Sequence, residues 1–127
     1  MRATGHFDVR LTPAPTPPVA RGLGRMTLDK DFHGDLSGSS RGEMLTAMGE
    51  TKGSGAYVAV ERVTGTLGGR SGSFALSHSG VMQGGTQQLS INVVPDSGTG
   101  ELAGICGRLE LRIEGGKHEY VLEYELP

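Results

Sequence analysis

Polar and apolar residues alternate along nearly the whole of this chain, and glycine or proline breaks the alternation every few positions. A period of two admits strands and leaves helix almost no place. The segment from Tyr57 to Gly80 shows the pattern most fully: YVAVERV alternates, TGTLGGRSGS reads as a glycine-rich bend, and SFALSHSG returns as a second strand. The same reading predicts about eight strands in all. They are His6 to Thr12, Met26 to Gly34, Met44 to Met48, Ala56 to Thr66, Ser73 to Met82, a strand carrying Leu89, Ile91 and Val93, Ala103 to Ile113, and His118 to Leu126. Between the second and third, GDLSGSSRG is too polar and glycine-rich to read as a flat strand, so Gly34, Gly38 and Gly42 are expected to bend the chain. PAPTPP, residues 13–18, predicts a proline-rich loop. Short strands, close connections and an almost wholly acidic outer face on the last strand predict an all-β fold. The expected form is a single eight-stranded antiparallel β-barrel over residues 1–127, with a two-sheet sandwich as the alternative.

Composition narrows the function classes. A chain of 127 residues fits one domain, with no room for a separate cofactor domain. Its 14 acidic and 12 basic residues are interspersed and leave a net charge of −2, so no field of one sign is available to gather nucleic acid. Cys106 stands alone and cannot form an intrachain disulfide, and the opening MRATGHFDVR lacks the apolar core of a secretory signal; a cytoplasmic protein is expected. No apolar run approaches the roughly 18 residues of a spanning helix, so no membrane partner is expected.

The chemistry lies with polar residues that share apolar strand faces. Lys30 alternates with Met26, Leu28 and Phe32, and His78 with Phe74, Leu76 and Met82. The fourth strand is apolar on both faces: Tyr57, Ala59 and Val63 accompany Glu61, while Val58 and Val60 accompany Arg62. Periodicity therefore leaves its inward face open, and two apolar faces keep a homo-oligomer in view. A buried charge costs several kcal/mol unless it is paired, so Lys30 and Glu61 are expected to pair if both point inward. The pair would fix strand register. Alternatively Glu61, its proton affinity raised by burial, would act as general acid or base beside His78. Tyr57, His118, Tyr120 and Tyr124 are candidate ligand contacts from an apolar wall, and Arg70 in GGRSGS is a candidate at the barrel mouth. SGTGELAG lacks the following helix that a phosphate loop requires, and Cys106 has no activating base nearby in sequence. His78, His118 and Glu61 lie on scattered strands without ligand spacing, so neither a metal nor a cofactor is expected.

Four ordered blocks carry a resemblance. FHGDLSGSSRGEMLTA (32–47), YVAVERVTGTLGGRSGSFALSHSG (57–80), VVPDSGTGELAGICGRLEL (93–111) and HEYVLEYEL (118–126) together resemble bacterial domain-of-unknown-function family 3224. That family looks like a small relative of the allene oxide cyclase-like and dirigent-like β-barrels, through the glycine-spaced SGTGELAGICGRLEL. The resemblance implies an eight-stranded barrel whose lumen, in the distant relatives, folds or cyclises hydrophobic small molecules. The acidic catalytic residue of the cyclases has no position here to which it can be carried. The expected function is binding of one small, largely apolar molecule in the lumen, oriented through Lys30, Glu61, His78 and a tyrosine. A cyclase or isomerase in which Glu61 or His78 moves a proton and a filled, purely structural barrel are the alternatives, and the sequence leaves open whether the protein is an enzyme.

Overall fold

Three Gly-Gly pairs set the hairpins. Gly68 and Gly69 (φ 57° and 84°), Gly84 and Gly85 (56° and 89°), and Gly115 and Gly116 (55° and 78°) each hold two successive residues at positive φ. Two-residue turns of that kind match the twist of the strands they join, and a side chain there would be strained. A computed structural model describes residues 1–16 and 18–127; Pro17, within the expected proline-rich loop, lies outside the described residues. The strands are β1 (Arg2–Pro13), β2 (Leu23–Gly34), β3 (Leu36–Met48), β4 (Gly55–Leu67), β5 (Arg70–Gln83), β6 (Thr86–Val93), β7 (Thr99–Gly100), β8 (Cys106–Glu114) and β9 (Lys117–Glu125). Among the described residues there is no helix.

Every pairing is antiparallel, and the sheet closes on itself. β4 joins β5 from Gly55↔Met82 to Leu67↔Arg70, while β1 joins β9 through Ala3↔Leu122 and Phe7↔His118. The order β1-β2-β3-β4-β5-β6-β8-β9 returns to β1, giving an eight-stranded barrel with the two-residue β7 added against β5. Closure removes the sandwich alternative. The seam between β6 and β8 is a single pair, Asn92↔Arg108, while β1 to β5 are paired on both sides and offer no free edge.

Three expectations about the strands need correction. GDLSGSSRG is strand after Leu36: β3 pairs with β4 without interruption from Leu36↔Leu67 to Met48↔Gly55. Its glycines are there because backbone passes close by. A Cβ at Gly42 would stand 2.1 Å from the Val60 carbonyl oxygen, and one at Gly38 would stand 2.2 Å from that of Thr64. The seventh predicted strand begins at Cys106, three residues late, because Leu102 and Ile105 belong to a connection that plugs the barrel. Both side chains are fully buried. Pro13, expected in the loop, still pairs with Met26 at the end of β1, where its missing N–H costs the ladder little.

The two ends of the barrel differ. At one end the 94–105 connection packs Leu102 and Ile105 onto a core that contains Leu36, Leu67, Phe74 and Leu122. Ser97 Oγ fixes the connection by donating to the Val94 carbonyl at 2.7 Å and accepting from the Ala75 N–H at 2.9 Å. Tyr120 fixes the β2–β3 corner at the same end. Its hydroxyl accepts from the Leu36 N–H at 3.0 Å and donates toward the carbonyls of His33 and Leu36 at 3.1 and 3.2 Å. At the other end the inward residues Met26, Met44, Tyr57, Met82 and Leu89 are only half-buried.

A buried charge cluster in the barrel lumen

The register of β4 is settled by burial: Ala59, Glu61 and Val63 are buried, and Val58, Val60 and Arg62 are exposed. Glu61 therefore points into the lumen, where it is 2% exposed. Four consecutive strands deliver polar side chains to it. Lys30 of β2 donates from Nζ to Oε2 at 2.9 Å, and Ser40 of β3 donates from Oγ to Oε1 at 2.8 Å. His78 of β5 brings Nε2 against Oε2, a charge contact that lies off the axis of a hydrogen bond. Gly42 lies directly opposite Glu61 in the ladder, and its missing side chain permits the meeting: a Cβ there would stand 2.8 Å from that of Glu61.

Burial alone would raise the proton affinity of Glu61. His78 and Lys30 beside it outweigh that effect and pull the carboxyl down from 4.5 to about 2. The expectation of an acid with raised proton affinity is thus corrected: the carboxylate stays ionised at neutral pH because two basic side chains face it. Lys30 is held from its other side by aromatic faces, with Nζ 4.6 Å from the centroid of Phe7 and 5.9 Å from that of Phe32. Tyr57 lies toward the open end, its ring 6.4 Å from that of His78, and burial followed by the charge of Glu61 pushes its phenol upward. The Tyr57 ring occupies the space over Gly80, where a Cβ would come within 2.4 Å of it. Above the cluster the inward wall is small at Gly42, Ala59 and Gly80; Leu28 is the large residue at that level.

The other candidates separate from this group. His118 faces inward near the open end and packs on Phe7 with ring centroids 5.2 Å apart. Tyr120 and Tyr124 are buried toward the plugged end, and the hydroxyl of Tyr120 is occupied by backbone groups. Arg70 is exposed beside the Gly68-Gly69 turn, at the plugged end and away from the cluster. Ser40 is the partner that sequence reasoning missed. Its signal was the alternation of Leu36, Gly38, Ser40, Gly42 and Met44, readable only once the segment is taken as a strand.

A fixed anion hydrogen-bonded by serine and lysine, with an imidazole beside it, can orient a polar group brought near Lys30 or His78. It is poorly suited to collecting a proton, since a carboxylate whose acid has a pKa of about 2 is a weak base.

A family model described as a protein of unknown function (DUF3224) matches residues 3–124. The solved structure of a protein of unknown function from the DUF3224 family of Shewanella oneidensis MR-1 is 48% identical. The match covers 100% of this chain and 97% of that one, with a TM-score of 0.94. Among curated proteins, none matches the sequence.

Proposed function

This chain belongs to the DUF3224 family, and we propose that it binds one small, largely apolar molecule at the open end of its barrel, with a polar head on the molecule directed at Lys30 and His78. The observation that carries this reading is the asymmetry of the lumen. One end is plugged by Leu102 and Ile105, whereas the other presents half-buried Met26, Met44, Tyr57 and Met82 above a buried charge cluster. Methionine side chains adapt to irregular apolar shapes, and a few polar groups beneath them supply orientation. His78 is nine-tenths buried with Nε2 set against Glu61 Oε2, so a polar head brought to it meets an imidazole already held in place. Turnover by proton transfer through Glu61 is disfavoured by its weak basicity.

The test is native mass spectrometry of purified protein to identify any retained molecule, followed by NMR titration with that molecule or with an apolar dye bearing an acidic head. Shifts confined to Met26, Met44, Met82 and Tyr57, weakened by His78→Phe, are expected. Uniformly absent shifts at the open end with both probes would sink the proposal. Conversion of the retained molecule by wild type but not by Glu61→Gln would replace binding with catalysis.

A further inference from the structure

The alternation that turns Glu61 inward turns Val58 and Val60 outward, and there they lack cover. They are 53% and 58% exposed, and Leu45, opposite Val58 in the ladder, is 54% exposed. Leu23 of β2 continues the apolar row, and Val19 of the β1–β2 connection stands 97% exposed at its rim. Together these residues line a groove of about 860 Å³ that runs over the outer face and reaches the inward residues Tyr57, Ala59 and His78 at the rim of the barrel. We infer that this outer face of β2 to β4, with Val19, is the interface for a second copy of this chain.

Three observations favour a copy of the chain over another occupant. The first is area. A folded monomer of 13.3 kDa is expected to expose about 6,500 Å². This chain exposes 7660 Å², an excess over the whole molecule of roughly 1,200 Å², enough to include the 800 Å² that each partner contributes to a standard interface. A small molecule in the groove would cover only part of that surface. The second is shape. Val19 is an apolar knob on the rim of an apolar groove, so one patch carries both halves of a fit, as a two-fold interface requires. The third is charge. Arg25 and Glu43 pair at 2.8 Å within the same face, and a two-fold axis through it lets each exchange or share partners with its symmetry mate. An added peptide strand is excluded because the closed barrel offers no free edge here.

The inference concerns the outer faces of strands whose inner faces line the lumen; the groove and the lumen share Tyr57, Ala59 and His78, so the variants that test it are placed on outward residues only. Sedimentation velocity of the full chain at micromolar concentration is expected to give twice the 13.3 kDa of one copy. Val60→Lys and Leu45→Lys are expected to weaken association at least about tenfold, with the far-UV spectrum of the barrel retained. Val19→Asp guards against a folding defect: the side chain is almost wholly exposed, so its loss removes no packing within one copy, and it too should weaken the dimer. A wild-type monomer throughout the micromolar range would overturn the inference. So would a dimer that Val19→Asp and the folded lysine variants leave intact.

Discussion

Removing one member of the Lys30–Glu61 pair should cost far more than removing both. Glu61→Gln keeps the shape and a hydrogen bond to Ser40, but it leaves the Lys30 ammonium buried with aromatic faces as its nearest support. Breaking a buried pair in this way costs about 3–5 kcal/mol. The proton affinity of Glu61 reports the sum of its surroundings: burial, outweighed by His78 and Lys30 together, takes the carboxyl from 4.5 to about 2, which corresponds to roughly 3 kcal/mol shared between the two basic partners. Lys30→Met should fall at the lower end, about 3 kcal/mol, because Ser40 and His78 remain on the carboxylate. Lys30→Met combined with Glu61→Leu exchanges the pair for apolar bulk and should lose less than either single change. Non-additivity of at least about 2 kcal/mol follows. Urea unfolding followed by far-UV circular dichroism and tyrosine fluorescence reads this directly, since the chain has three tyrosines and no tryptophan. The pH dependence carries the same signature. Because the folded-state pKa of Glu61 lies below its unfolded value, its stabilisation is fully present above about 4.5 and is lost as pH falls toward 2. Glu61→Gln should flatten that acid slope. Strictly additive single losses, or an acid slope that Glu61→Gln leaves unchanged, would refute the reasoning.

Tyr120→Phe strands the Leu36 N–H in a buried corner and should destabilise the barrel by about 1–3 kcal/mol in urea titrations, with accelerated amide exchange at Leu36 as the local readout. Leu102→Ala opens a cavity in the plug and should cost about 2–5 kcal/mol without altering dimer formation, which separates the plugged end from the outer face.

Legibility differed along the chain for physical reasons that particular residues show. The period of two turns Lys30 inward because β2 from Met26 onward is apolar on one face only, and it turns His78 inward because Phe74, Leu76 and Met82 give its face the bulk that Ala75 and Val81 do not give the other. The sequence pattern shows only the second half of β3 because Gly38, Ser40 and Gly42 give the face too little bulk to register as apolar. They are small because the backbone of β4 and the carboxylate of Glu61 occupy the space that larger side chains would need. The alternation runs on past the start of β8 because Ala103 and Ile105 continue its period, while Ile105 is buried as part of a connection. The direction of Glu61 is illegible in the sequence for a different reason. Its strand meets apolar surroundings on both sides: the lumen takes Ala59 and Val63, and Val58 and Val60 form a patch on the exterior. A second apolar face on a single-layer barrel strand has no use within the monomer, because folding covers the inner face only. The feature that concealed the inward direction of Glu61 is therefore the same feature that calls for a partner outside, and lysine at Val60 tests both. If Val60 faces a second copy, the charge separates the copies while the buried ion pair and the acid slope of Glu61 persist; if it faced the lumen, the barrel itself would fail.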